Sequence, residues 1–229
     1  VNFFGGSFVF GWGLNDNETL PYFMQNHFGN WNVKNYAING YGVHQMLAQI
    51  NKDKKFVANI NFLITHNSHI PRSVCKRDYS FGTPKYIIDN NNEIIRSGFC
   101  GNLLIKDVQL PKIFGSIINR SEIKRLLDKY FLKKSDFSSN DIKIYTSIIK
   151  KINEIILKEN KKFYVGYIKN NLTKIDEIVL DDLRKNKINL IDLSLNDNNN
   201  YSLYDGHPTK EANAKRSEII WTFLNESSF

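Results

Sequence analysis

The chain has 229 residues, a length that suits one domain with room for an inserted subdomain. With 41% hydrophobic and 13% aromatic residues it can build a sizeable core, which excludes a wholly disordered chain, and no apolar run approaches the roughly 18 residues of a membrane span. A net charge of +8 invites a nucleic-acid reading, but the lysines are spread through helical stretches such as "SIIKKINEIILKENKK" (147–162), where they make solvated faces. No basic stripe is interleaved with aromatics, so nucleic acid is not an expected partner.

No signal peptide is visible. The chain begins almost inside its first strand, and residues upstream of Val1, a signal or anchor among them, are expected, with a lean towards an extracytoplasmic or envelope location. "VNFF" (1–4) reads as a short buried strand. "NETLPYFMQNHF" (17–28) reads as a helix, with Asn17 its N-cap and Pro21 tolerated only near the start. "WNVKNYAI" (31–38) predicts a second strand, "VHQMLAQI" (43–50) a helix, and "VANINFLIT" (57–65) a third strand. "PKYIIDNNNEIIRSG" (84–98) has two β-rich arms around an Asn-rich turn and predicts a hairpin. It falls within an expected insertion or lid at about 73–140, which also holds a predicted helix at 121–131. A long helix (141–160), a fourth strand (162–168), a helix (175–186) and a fifth strand (188–194) follow. The last helix starts near Pro208, read as a first helical position, with Ile219, Ile220, Phe223 and Leu224 on one apolar face. The alternation predicts a single α/β domain: a three-layer α/β/α sandwich on a mostly parallel five-stranded sheet, with the insertion between strands three and four. Cys75 and Cys100 form no CxxC pair and have no His at zinc spacing. They read either as two free thiols or as one disulfide bracing the insertion.

The chemistry is sought where "VNFFGGSFVFGWG" puts Ser7 after a strand and two glycines. A P-loop would need GxxxxGK followed by Ser or Thr, and no Lys follows these glycines. Gly11 and Gly13 begin a GxGxxG fingerprint, but position 16 is Asp. A nucleophilic serine needs a base, and the base works best when a carboxylate fixes its tautomer. Of the five histidines, His207 alone has an acid beside it in a loop before a helix, in "LYDGHPTKEANAKR", where Asp205 can accept from Nδ1. The loops after the strands of a parallel sheet gather at one edge, so Ser7 and His207 can meet there. An oxyanion hole can draw on the Ser7 backbone N–H, on Gly40 in "NYAINGYG" and on the Asn67 side-chain amide in "THNSHIPR". Singly, Ser7 and Gly40 read as turn residues and Asp205 as a helix cap. In this order, at successive strand ends, they read as one site.

The sequence resembles the SGNH (GDSL-like) hydrolase family over about 1–70 and 160–225. "GGS" (5–7) resembles its first block, with Gly6 where that family often has Asp. Asn35 and Gly40 reproduce the second, and Asp205 and His207 the last, in a "DGHP" form. The third block departs: Thr65-His66-Asn67-Ser68 stands where Gly-x-Asn-Asp is usual, so Asn67 leads as third donor and His69 is the alternative. By this resemblance Ser7 is the nucleophile, His207 the base and Asp205 its orienter. It implies an esterase for small acyl groups, such as acetyl, on carbohydrate or envelope glycans, with no metal or organic cofactor. An O-acyltransferase using the same residues and a non-catalytic glycan-binding domain are the alternatives. His69, Arg72, Trp12 and Tyr41 are candidate substrate contacts; His27, His44 and His66 are assigned to structure or surface.

Overall fold

The computed structural model describes residues 1–77, 80–101, 138–169, 173–196 and 200–226. Strands β1 (Asn2–Gly5), β2 (Lys34–Asn35) and β3 (Ile60–Thr65) precede a hairpin, β4 (Pro84–Ile88) and β5 (Ile94–Phe99), and β6 (Lys162–Tyr167) and β7 (Leu190–Asp192) follow it. The main sheet has the order β2-β1-β3-β6-β7, and every neighbouring pair is parallel. The α-helices among the described residues are α1 (Ser7–Phe10), α2 (Leu20–Phe28), α3 (Val43–Lys52), α4 (His69–Ser73), α5 (Ser139–Lys158), α6 (Lys174–Lys185) and α7 (Lys210–Glu226).

Strand alternation builds the layers. Side chains at successive strand positions point to opposite faces, and a doubly covered parallel sheet must be apolar on both. Phe4, Leu63, Phe163 and Val165 face α3, α5 and α6, in one core with Ile50, Ile149 and Leu183. Their neighbours Phe3, Phe62, Ile64 and Tyr164 face α2 and α7, in a second core with Met24 and Leu224. The expected three-layer sandwich is the observed one. The order of strands reverses between β1 and β3, and open α/β sheets hold their ligands at the carboxyl ends of the strands flanking such a switch point.

Several boundaries differ from the sequence reading; the third strand begins at Ile60 and the last covers only Leu190–Asp192. The second strand shrinks to Lys34–Asn35 because it is an exposed edge paired only with β1. Helix α2 is capped by Thr19, whose side chain accepts from the Tyr22 N–H, not by Asn17; the residues before it form a 3₁₀ turn in which the Glu18 carboxylate accepts from the Asn15 N–H. Pro208 lies ahead of α7, bridged to Ser202, and the Thr209 hydroxyl accepts from the Ala212 N–H in the capping role.

Cys75 and Cys100 are joined, Cα to Cα 5.3 Å apart, which ties the end of the hairpin to the turn after α4. The hairpin leans on α3 and α5 through Tyr86 and Ile94. Its turn is tied to α5 by Lys151–Glu93 and by Lys143 donating to Asn92. The helix expected at 121–131 lies outside the described residues.

Candidate active site

The site is built on the corner between β1 and α1. Gly6 sits at the N-cap and Ser7 begins the helix; the Gly6 carbonyl accepts from the Val9 and Phe10 N–H groups at 3.2 and 3.0 Å. Gly11, at φ 92°, closes the turn in the left-handed region that glycine favours. Asn35 holds this corner from the side: its amide donates to the Val9 carbonyl at 3.0 Å while its Oδ1 accepts from the Ala37 N–H at 3.1 Å. Asn35 therefore couples α1 to the loop that carries Gly40, which turns at φ 81°.

The corner is packed to the backbone. A Cβ on Gly5 would come within 2.9 Å of the Ile64 carbonyl oxygen, and one on Gly6 within 2.7 Å of His69 Nε2, 2.9 Å of Arg72 Nη1 and 3.0 Å of the Tyr41 carbonyl oxygen. Arg72 Nη1 also donates to that carbonyl at 3.2 Å. His69 is buried and held from behind, with Nδ1 2.8 Å from Thr65 Oγ1, which is 2.7 Å from the Tyr145 hydroxyl. His69 and Arg72 thus lie in the space that an Asp side chain at position 6 would enter.

The loop before α7 comes back over α1. Phe8, next to Ser7, meets the His207 ring edge-on at 5.4 Å between centroids and stacks on His66 at 4.6 Å. Asp205 and His207 form a small closed unit: Nδ1 lies 3.0 Å from Asp205 Oδ2, and the His207 backbone N–H donates to Oδ1 at 3.1 Å. That backbone bond, with the imidazole beside it, holds the Asp205 carboxyl below the usual carboxylate range. Gly206 turns at φ 84° between them, and the Leu203 N–H donates to the His207 carbonyl at 2.7 Å. Ser7 is buried at 4% exposure, Trp12 stands out at 47%, and Tyr41 is half-buried.

Asn67 is placed by a residue the sequence reading did not single out. Its Nδ2 donates at 3.3 Å to Oδ2 of Asp176, a fully buried carboxylate at the start of α6. Asp176 also accepts from the Tyr167 hydroxyl at 2.7 Å and from the Thr173 hydroxyl and N–H. A side-chain amide has two N–H donors, so one remains for another acceptor. The signal for Asp176 was readable as a Thr-x-x-Asp capping box. His66, assigned to structure or surface, lies beside the candidate site: buried, against Phe8 and His69, with Nδ1 2.5 Å from Ser68 Oγ. His27 stacks on Trp221, and His44 meets Thr83 Oγ1.

No protein-family model matches the sequence, and a search of curated proteins finds no match. Solved structures do match. A lipolytic protein of the G-D-S-L family from Desulfitobacterium hafniense superposes with a TM-score of 0.57 at 10% identity, over 97% of this chain and 98% of that one. The fold is that of the SGNH hydrolases. A second G-D-S-L family member, from Veillonella parvula, gives 0.51 at 13% identity with the same coverages of 97% and 98%. An acetyl xylan esterase from the rumen bacterium Butyrivibrio proteoclasticus gives 0.55 at 8% identity; this chain is covered over 99% of its length but spans only 63% of that protein.

Two expectations follow from the packing. Gly6→Ala drives a methyl group into His69, Arg72 and the Tyr41 carbonyl, and overpacking of this kind costs about 1–3 kcal/mol. Chemical denaturation will read the loss, and an unchanged midpoint would show that the corner has slack.

The second concerns pH. Burial pushes the His44 and His66 imidazoles down to about 3 and lowers His69 well below its ordinary value. Between pH 6.5 and about 3 the unfolded chain binds protons that the folded chain excludes, so their stabilising contribution is complete above 6.5 and is lost as pH falls. Each of these histidines will then remove about 1.4 kcal/mol of stability per pH unit below its unfolded value. Denaturation at pH 7 and pH 5.5 checks this, with His66→Asn flattening the slope; equal stability at both values contradicts it.

Proposed function

We propose that this chain is a serine esterase in which Ser7 is the nucleophile, His207 the general base and acid, and Asp205 the group that orients His207. The observation that carries the reading is the convergence of two distant segments: the Asp205–His207 unit lies against Phe8, the residue next to Ser7, at the switch point of the sheet. With Asp205 Oδ2 3.0 Å from Nδ1, Nε2 is the nitrogen left to take a proton.

Ser7 Oγ attacks the ester carbonyl carbon and its proton passes to His207 Nε2. The carbonyl oxygen becomes an oxyanion, met by the backbone N–H groups of Ser7 and Gly40 and by the second N–H of Asn67. The ester C–O bond then breaks, and the alcohol leaves with the proton from His207. Water attacks the acyl-serine and gives a proton to His207, which returns it to Ser7 Oγ as the acyl C–Oγ bond breaks and the carboxylic acid leaves. The Ser7 N–H suits its role because the first N–H groups of a helix have no intrahelical acceptor.

Small acyl esters of a saccharide are the proposed substrates. The support is the exposed Trp12 beside the site, a surface on which a sugar ring stacks, and the fold shared with the acetyl xylan esterase. Hydrolysis and transfer use the same residues and differ in whether a sugar hydroxyl outcompetes water for the acyl-serine.

The test is turnover of p-nitrophenyl acetate, with and without an oligosaccharide acceptor. Ser7→Ala and His207→Ala should each lower kcat by about 10⁴-fold or more, and Asn67→Ala by about 10² to 10³. Acetylated oligosaccharide in the presence of acceptor would identify a transferase. Wild-type protein that turns over no ester, while binding a glycan as well as Ser7→Ala does, would identify a non-catalytic binding domain.

A further inference from the structure

A second concave surface lies outside the Ser7 site, where the hairpin stands away from α3 and α5. Its volume is about 460 Å³, within the range of small-ligand sites. The floor is apolar, formed by Leu47, Ile94 and the ring of Tyr86, all nearly fully buried. The rim is cationic: Lys52 from the end of α3, Arg96 from β5 and Lys151 from α5. The lining holds no Asp or Glu among the described residues; Glu93 and Glu154 pair with Lys151 from outside it, and Asp53 follows Lys52 in the chain.

Each part of this surface is held in place. Tyr86 and Arg96 are directly paired across the hairpin, so they project from the same face of it. Tyr86 is packed into the core beneath the hairpin. The Arg96 guanidinium sits 4.9 Å from the Phe99 ring, and the Cys75–Cys100 bond anchors the foot of the hairpin. The site is therefore formed before any ligand arrives.

Its chemistry selects a ligand class. A small apolar floor suits the carbon skeleton of a sugar, and Asn51 supplies donor and acceptor for hydroxyls. Lys151 is already met by Glu93 and Glu154, which leaves Arg96 and Lys52 to meet an anion. Among the described residues no glycine and no helix N-terminus lines the surface, so a compact phosphate lacks its usual backbone cradle, whereas a planar carboxylate matches the Arg96 fork. We propose that this cleft binds a carboxylate-bearing, uronate-type saccharide, as a site separate from the one at Ser7. The proposal stands apart from the esterase reading.

The experiment is calorimetric titration of the full chain with trigalacturonate, neutral maltotriose and inorganic phosphate at matched ionic strength. Saturable binding of the uronate is expected, about tenfold or more tighter than either of the others and weaker in high salt. Arg96→Ala and Lys52→Ala should each weaken it about tenfold, while Ser7→Ala binds as the wild type does. Turnover of p-nitrophenyl acetate should be unaltered in the Arg96 and Lys52 variants. Absence of saturable binding, equal affinity for maltotriose or phosphate, or variants that bind like the wild type would overturn the proposal.

Discussion

The structure depends on how closely backbone approaches backbone at Gly5 and Gly6. The Ile64 carbonyl lies under the first, and His69, Arg72 and the Tyr41 carbonyl crowd the second. A side chain at either position would have to displace these neighbours before the loops after β2 and β3 could sit against the end of β1 as they do. The closing loops carry Gly40 and Asn67, and the corner itself carries Ser7. Asn35 binds the first of these loops to α1, and Asp176 holds Asn67 from the far side.

Burial sets the electrical character of this region. Three imidazoles, those of His44, His66 and His69, are packed where a positive charge would be desolvated, so they are neutral and serve as rigid polar pieces. His207 is differently placed. It stands in a loop against α1 with the Asp205 carboxylate 3.0 Å from Nδ1. The chain thus separates the histidine proposed for proton transfer from those that pack, and the separation follows from which of them has an acid within reach.

Much of the fold is legible in the sequence because the periodicities are strong. Phe3 and Phe4, or Leu63 and Ile64, alternate between two apolar faces, and the 141–160 stretch keeps its helical spacing for its full length. The strand at 31–38 reads too long because propensity does not reveal that only one neighbour is available to pair with it. Asn17 reads as a cap because the local sequence offers several capping residues, and the choice of Thr19 rests on where the 3₁₀ turn ends. The Asp205–His207 pairing is readable because it is local, two residues apart across Gly206. The contact of Asp176 with Asn67 is not, since it joins positions far apart in the chain through a residue whose evident role is to cap a helix. His66 reads as structural because nothing local ties it to Phe8.

The central claim is that the Ser7 hydroxyl is activated by the imidazole at 207. A fluorophosphonate probe tests it directly, because only an activated serine is phosphonylated at an appreciable rate, and mass mapping locates the adduct. The account predicts one adduct, on Ser7 in the wild-type chain, and its loss in His207→Ala at unchanged far-ultraviolet circular dichroism. A folded wild-type protein that takes no label at Ser7, or a His207→Ala variant labelled as fast as wild type, would contradict it.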